Sequence, residues 1–189
     1  MKKIFVLGLF VVLVSQYGFA QAFIGGGLSF RYSKTTGENY DYSSTSIGIS
    51  PLLGYSFGSV NVGVLFGYWK SWSLNSSSDY SSSDSEIDFG IFGDLTVLKI
   101  DRFSILGRGS FHYVISNYEY TSGSYSSESD SKYIMINLEP MFEYFLFYRL
   151  TLYTSIGGIS YLHEFGDYAV NRFNISILTG ITLGFRFFF

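Results

Sequence analysis

Between Arg172 and Phe189 the hydrophobic positions recur at every second residue. Phe173, Ile175, Ile177, Thr179, Ile181, Leu183, Phe185, Phe187 and Phe189 share one face, and Arg172, Asn174, Ser176, Leu178, Gly180, Thr182, Gly184, Arg186 and Phe188 share the other. A helix would smear both sets around its circumference, whereas a strand keeps them apart. The pattern predicts a long strand with one greasy face and one small, polar or cationic face. In a soluble protein the greasy face would be buried in a core. In a membrane barrel it meets lipid and the other face lines the lumen.

The same period recurs upstream. It predicts strands over Phe23 to Ser33, Ser44 to Phe57, Val60 to Leu74, Glu86 to Leu98, Arg102 to Tyr118, Lys132 to Phe147 and Arg149 to His163. With the last strand that makes eight. The stretches between them alternate in length. Lys34 to Ser43, Asn75 to Ser85, Glu119 to Ser131 and Glu164 to Asn171 read as long polar loops, and Gly58-Ser59, Lys99 to Asp101 and Tyr148 as short turns. Long outer loops alternating with short periplasmic turns, with both termini on the periplasmic side, belong to an up-and-down outer-membrane barrel. Tyr32, Tyr68, Trp69, Trp72, Tyr118, Tyr120 and Tyr133 crowd toward the long loops, and Tyr55, Phe57, Phe103, Phe147, Phe187 and Phe189 toward the short turns. Such belts mark the two water interfaces of a bilayer. Pro51 and Pro140 fall inside strands, where a missing N–H predicts a bulge or a break in the ladder. The alternation slips near Trp69 to Trp72, and a bulge is expected there too.

Composition supports the membrane reading. Charged residues are 14% and aromatics 21% of the 189, with 20 Phe and 17 Tyr. A soluble surface needs roughly a quarter or more of its residues charged. A secreted lipocalin-like barrel would also have eight antiparallel strands, with the greasy face inward. Three features oppose it. The polar face is mostly Gly and Ser, the rows of Phe, Ile and Leu exceed what an eight-stranded interior holds, and the loop lengths alternate strictly.

Residues 1–22 read as a cleaved secretory signal. Lys2 and Lys3 precede an apolar run from Ile4 to Val14, and small residues at Gly18-Phe19-Ala20 or Ala20-Gln21-Ala22 offer a cleavage site. Residues 23–189 then form the barrel. Without the two lysines, 10 basic residues stand against 15 acidic ones, a net charge of −5. That balance argues against nucleic acid as a partner. The absence of cysteine excludes disulfides, thiol chemistry and a lipidated cysteine.

The signal, the eight alternating strands and the closing Leu183-Gly184-Phe185-Arg186-Phe187-Phe188-Phe189 resemble the small outer-membrane β-barrel proteins of the OmpA/OmpX type. The likeness covers the whole mature chain and rests on pattern, with no diagnostic internal motif. It implies an all-β, eight-stranded antiparallel up-and-down transmembrane β-barrel in the bacterial outer membrane, in contact with its lipid and lipopolysaccharide. It also implies that Phe185, Phe187 and Phe189 are the signal read by the barrel-assembly machinery. The additional soluble domain of peptidoglycan-holding relatives is not expected, since the chain ends at the last strand.

The inward face carries most of the charge: Arg31, Arg102, Arg108, Arg149, Arg172 and Arg186, against Glu86, Asp88, Asp94, Glu139 and Glu143, with His112 and His163. Charges inside so narrow a barrel must pair, because an unpaired buried charge costs several kcal/mol. The expected network joins Arg31, Arg108, Arg186, Asp88, Asp94, Glu139, Glu143 and His112, with Arg108 bridging carboxylates among Asp94, Glu139 and Glu143. It makes a plugged lumen rather than a gate. Polar-face glycines concentrate in strands one, two, three and eight. Long side chains that fail to reach that thin wall would leave a narrow crevice for a small apolar ligand, or a narrow channel.

No enzymatic activity, metal or cofactor is expected. Lipid-modifying barrels need Ser with His and a carboxylate. His112 has Ser110 two residues away on its own face and Glu139 or Glu143 on the next strand, and it reads as a structural partner. His163 lies near a loop beside Glu164, and the His-x-Ser spacing of lipid A deacylases is absent at both histidines. Glu38, Asp41, Asp79, Asp84, Glu119, Glu128, Asp130, Glu164 and Asp167 make the outer loops acidic and open to divalent cations, lipopolysaccharide or host surfaces. Their spacing is not that of a calcium loop. A monomer with a structural or surface-interaction role, such as adhesion or envelope integrity, is the expectation.

Overall fold

The structure, a computed structural model, describes residues 20–37, 40–75, 80–122, 124–166 and 170–189. The side chains of 20, 31, 36, 37, 40, 41 and 177–181 lie outside that description. So do residues 1–19 of the expected signal and, of the acidic loop residues, Glu38, Asp79 and Asp167 and the side chain of Asp41.

The strands are β1 (Ala20–Gly37), β2 (Tyr40–Phe57), β3 (Val60–Asn75), β4 (Tyr80–Ile100), β5 (Phe103–Ser122), β6 (Tyr125–Phe147), β7 (Leu150–Phe165) and β8 (Val170–Phe188). Each pairs antiparallel with its sequence neighbours, and β1 pairs with β8 to close the barrel. The fold is an eight-stranded up-and-down antiparallel barrel of transmembrane type. Its large apolar side chains stand on the outside: Leu28, Phe30, Ile91, Leu138 and Ile175 are all more than half exposed. Only a lipid surround makes such a surface stable.

Between Gly58 and Ser59 the chain turns with a positive φ at Gly58, and Asp101 adopts φ 51° in the turn with Arg102. The third short turn is Tyr148 and Arg149. At the other end the strands overrun the sequence prediction. Tyr80 to Ser85 pair with both β3 and β5, and Tyr125 to Ser131 pair with β5. Much of the serine-rich sequence expected as loop is therefore strand. A strand needs only about 9–11 residues to cross a bilayer, while these run from 16 to 23. The excess stands clear of the lipid, where both faces are wet and serine serves either one. Cross-strand hydroxyl bonds accompany the ladder there, among them Tyr42 OH to Ser73 Oγ and Ser46 Oγ to Ser71 Oγ, both 2.9 Å. On this rim the hydrogen bond between the Tyr80 and Tyr118 hydroxyls (3.2 Å) holds the Tyr80 phenol below its ordinary pKa and raises that of Tyr118.

The two prolines behave differently. At Pro51 the β2–β3 ladder is interrupted between Ile49↔Tyr68 and Leu52↔Leu65, yet the register on either side is the same, so this is a break and not a bulge. At Pro140 the β6–β7 register shifts between Leu138 and Met141, which is a bulge. No bulge occurs at Trp69 to Trp72, where β3 stays in register with both neighbours. The apparent slip is Trp69 itself, an aromatic on the lumenal face. Its ring lies against the Cα of Gly48, and a Cβ there would overlap it. Further register shifts, which the sequence did not signal, lie at Thr96/Leu98, Phe145/Phe147 and Ser155/Gly157. The closing seam is short. Among the described residues β1 and β8 pair from Phe23↔Phe188 to Leu28↔Leu183.

Candidate functional site in the barrel lumen

Inward positions are filled in two tiers. The one nearer the short turns is more apolar than expected. Phe23, Leu52, Phe92, Leu106, Met141, Tyr153 and Phe188 form a buried cluster within the lumen. The period-two pattern placed Phe92 and Phe188 inward, but not an apolar core. Gly184 makes room for the Tyr153 ring, which a Cβ at that position would strike.

Set into this cluster are the buried charges. Arg108 donates from Nε to Asp94 Oδ1 at 2.7 Å and from Nη2 to Asp94 Oδ2 at 3.2 Å. Arg186, fully buried, donates from Nη2 to the same Asp94 Oδ2 at 2.5 Å and from Nη1 to Glu143 Oε1 at 3.1 Å. Thr151 Oγ1 donates to Glu143 Oε1 at 3.0 Å. Two arginines and two carboxylates thus balance. Aromatic faces complete the arginines' surroundings: Arg108 lies 4.6 Å from the Phe92 centroid, and Arg186 lies 5.4 Å from Phe23 and 5.0 Å from Tyr153. Glu139 faces Arg108 in the ladder but closes no ion pair with it.

Other charged residues expected on the inward face lie elsewhere. Arg31 is on β1, its side chain outside the described residues. Arg102 and Arg149 are exposed in short turns, and Arg172 is an exposed partner of Glu164 at 3.6 Å. These last three are corrections, since each was read as lumenal. The first two lie in turns just outside the strands, and the third stands near the rim opposite the short turns. His163 bonds through Nδ1 to Asn171 Oδ1 at 2.8 Å, at the exposed end opposite the short turns.

Above the arginines the lumen opens and becomes acidic. A cavity of about 330 Å³ is lined by Asp88, Ser110, His112, Val114, Asn137 and Glu139, among others. A second, of about 450 Å³, shares Trp69, Glu86, Asn137 and Glu139 with it and extends outward past Ser71, Asp84 and Ser160. Tyr133 OH donates to Glu86 Oε1 at 2.8 Å, and Ser116 Oγ to Asp84 Oδ1 at 2.9 Å. His112 belongs to this tier. Its Nδ1 lies 3.2 Å from Asp88 Oδ1 and its Nε2 2.9 Å from Ser110 Oγ. The sequence placed Ser110 correctly beside it, but looked for the carboxylate on the wrong neighbouring strand, at Glu139 or Glu143 rather than Asp88. Among the described residues no group of three or more His, Asp or Glu side chains is arranged to hold a metal.

Phe185, Phe187 and Phe189 all point away from the lumen, and the backbone N–H of Phe189 donates to Ala22 O at 2.9 Å.

Similar architecture is found in known structures. A major outer membrane protein of Thermus thermophilus superposes with a TM-score of 0.56 at 12% identity, over 90% of this chain and 99% of that one. The chain has the fold of the small outer-membrane β-barrel proteins. Neisserial surface protein A (NspA) matches at a TM-score of 0.48 and 14% identity, again over 90% of this chain and 99% of that one. Ail, the attachment invasion locus protein of Yersinia pestis, matches at 0.44 and 11%, over 90% and 97%. No protein-family model and no curated protein matches the sequence.

Proposed function

We propose that this is a monomeric resident of the bacterial outer membrane, with its short turns and both termini on the periplasmic side. Residues 1–22 direct export and are removed, leaving 23–189 as the barrel. Its role is structural or surface-interacting, in adhesion or envelope integrity, with lipid and lipopolysaccharide around it and surface ligands at the acidic outer rim. Phe185, Phe187 and Phe189 present the last strand to the assembly machinery.

The observation that carries this reading is the combination of an apolar exterior with the Arg108–Asp94–Arg186–Glu143 tier inside. The exterior needs lipid, and the tier fills the lumen between the acidic cavity and the short turns. A narrow channel would require these ion pairs to part, and stripping one partner from a buried pair costs about 3–5 kcal/mol. Cell fractionation with heat-modifiable gel migration tests the residence, and recovery of a water-soluble protein would overturn it. Purified barrel in a planar bilayer should give no unit conductance above background, and stable current steps would overturn the closed lumen. Loss of adhesion or of resistance to envelope stress in a deletion strain tests the role.

A further inference from the structure

We infer that the acidic cavity houses an esterase site, with Ser110 as nucleophile, His112 as general base and Asp88 as the residue that orients it. A carboxylate can only accept, so the 3.2 Å contact with Asp88 fixes the proton of His112 on Nδ1. Nε2 is then left as an acceptor, 2.9 Å from Ser110 Oγ, in the sense needed to take the hydroxyl proton. Strand geometry holds this order. Ser110 and His112, two apart on β5, project to the same side, and Asp88 comes from β4, where it pairs with Val114. Asn137, the β6 residue opposite Ser110, brings its Nδ2 to 3.4 Å from the same ring nitrogen. It is the amide donor at hand for the oxygen of a tetrahedral intermediate on Ser110. All four residues line the cavity of about 330 Å³, so the arrangement faces open space large enough for a small ligand.

The chemistry is acyl transfer to water. Ser110 Oγ bonds to the ester carbonyl carbon while its proton passes to His112 Nε2. The carbon–oxygen bond to the alcohol then breaks, and the alcohol leaves with that proton. A water molecule from the cavity, deprotonated in turn by His112, adds to the acyl carbon. Ser110 leaves with the proton, and a carboxylic acid is released. The surroundings define the substrate. Glu86 and Glu139 line the same cavity, and Asp84 lines the one above. Arg108 lines this cavity too, but its charge is held by Asp94, and that of Arg186 below by Asp94 and Glu143, so the carboxylates Glu86, Asp88 and Glu139 outnumber it. An anionic ester is repelled, and a neutral or cationic ester with a short acyl chain is admitted.

The test uses purified full-length barrel in detergent, its fold verified in every variant by heat-modifiable migration. Diisopropyl fluorophosphate should lose fluoride and modify the peptide that holds Ser110. That labelling should vanish in Ser110→Ala and fall by about 10²-fold or more in His112→Ala. Asp88→Asn should slow it while leaving the barrel folded. Hydrolysis of p-nitrophenyl butyrate should follow the same order and exceed that of the anionic half-ester mono-p-nitrophenyl succinate. A folded wild-type barrel that is not labelled, or is labelled equally in His112→Ala, overturns the site. Equal rates for the two esters overturn the assigned substrate class.

Discussion

Arg186 on the last strand and Asp94 on the fourth stand 92 positions apart in the chain and meet at 2.5 Å inside the barrel. Neither strand neighbours the other, so the bond spans the lumen. Asp94 also holds Arg108, its partner in the β4–β5 ladder. One carboxylate therefore serves two buried guanidinium groups. Asp94→Asn leaves both cations with Glu143 as the sole ionic partner of Arg186 and none for Arg108. The expected loss is about 3–5 kcal/mol, read as a lower urea midpoint for unfolding from lipid vesicles. Glu139→Gln removes a carboxylate that closes no ion pair with either arginine, and should leave the midpoint unchanged.

The lipid-facing assignment predicts a depth-dependent cost for charge. Ile91 on β4 is 60% exposed, within the apolar band. Ile91→Arg should destabilise the barrel in vesicles by about 2–4 kcal/mol if it lies near the bilayer midplane. Ser127→Arg, on the exposed first part of β6, should change stability by no more than about 0.5 kcal/mol. Equal effects at the two positions would mean that no lipid surrounds Ile91.

What the sequence disclosed and what it hid follow from where contrast exists along the strands. Wherever one face meets lipid and the other a polar lumen, residues alternate sharply, and Leu28, Phe30, Ile91 and Leu183 revealed themselves as outward. Above the lipid both faces are wet. Tyr80 to Ser85 and Tyr125 to Ser131 lose their alternation there without leaving the sheet. Beneath the cavity the lumen is partly apolar, so Phe23 and Leu52 gave no contrast to mark them as interior. Within the site, spacing along one strand was legible and pairing between strands was not. Ser110 and His112 could be placed on one face, but choosing Asp88 over Glu139 or Glu143 required the packing of side chains across the lumen. Trp69 misled because a large aromatic on the lumenal side looks like a register slip until Gly48 is seen opposite it.

That glycine makes a local prediction. Gly48→Ala places a methyl group where the Trp69 ring lies, so the ring or the strand must shift. Overpacking of this kind costs about 1–3 kcal/mol. The chain has two tryptophans, so Trp72→Phe isolates the Trp69 signal. In that background Gly48→Ala should shift the emission of Trp69 and lower the unfolding midpoint together. A midpoint that falls with no change in emission would place the strain elsewhere.

Phe189 allows folding and assembly to be tested separately. Phe189 is 62% exposed and follows the final strand residue, and its backbone bond, to Ala22, falls on the segment proposed to be removed at export. Its ring packs at 5.4 Å against Phe187, which is also on the outer face. Removing it takes nothing from the lumenal core, so refolding of the purified chain into vesicles should proceed with nearly the wild-type yield. If Phe185, Phe187 and Phe189 are read by the assembly machinery, the same deletion should sharply reduce heat-modifiable barrel in cells. Measuring both yields for the deletion and for Phe189→Tyr, which keeps an aromatic terminus, decides the matter. Parallel losses in vesicles and in cells would make Phe189 a stability residue, whereas a defect confined to cells and rescued by tyrosine would make it a recognition element.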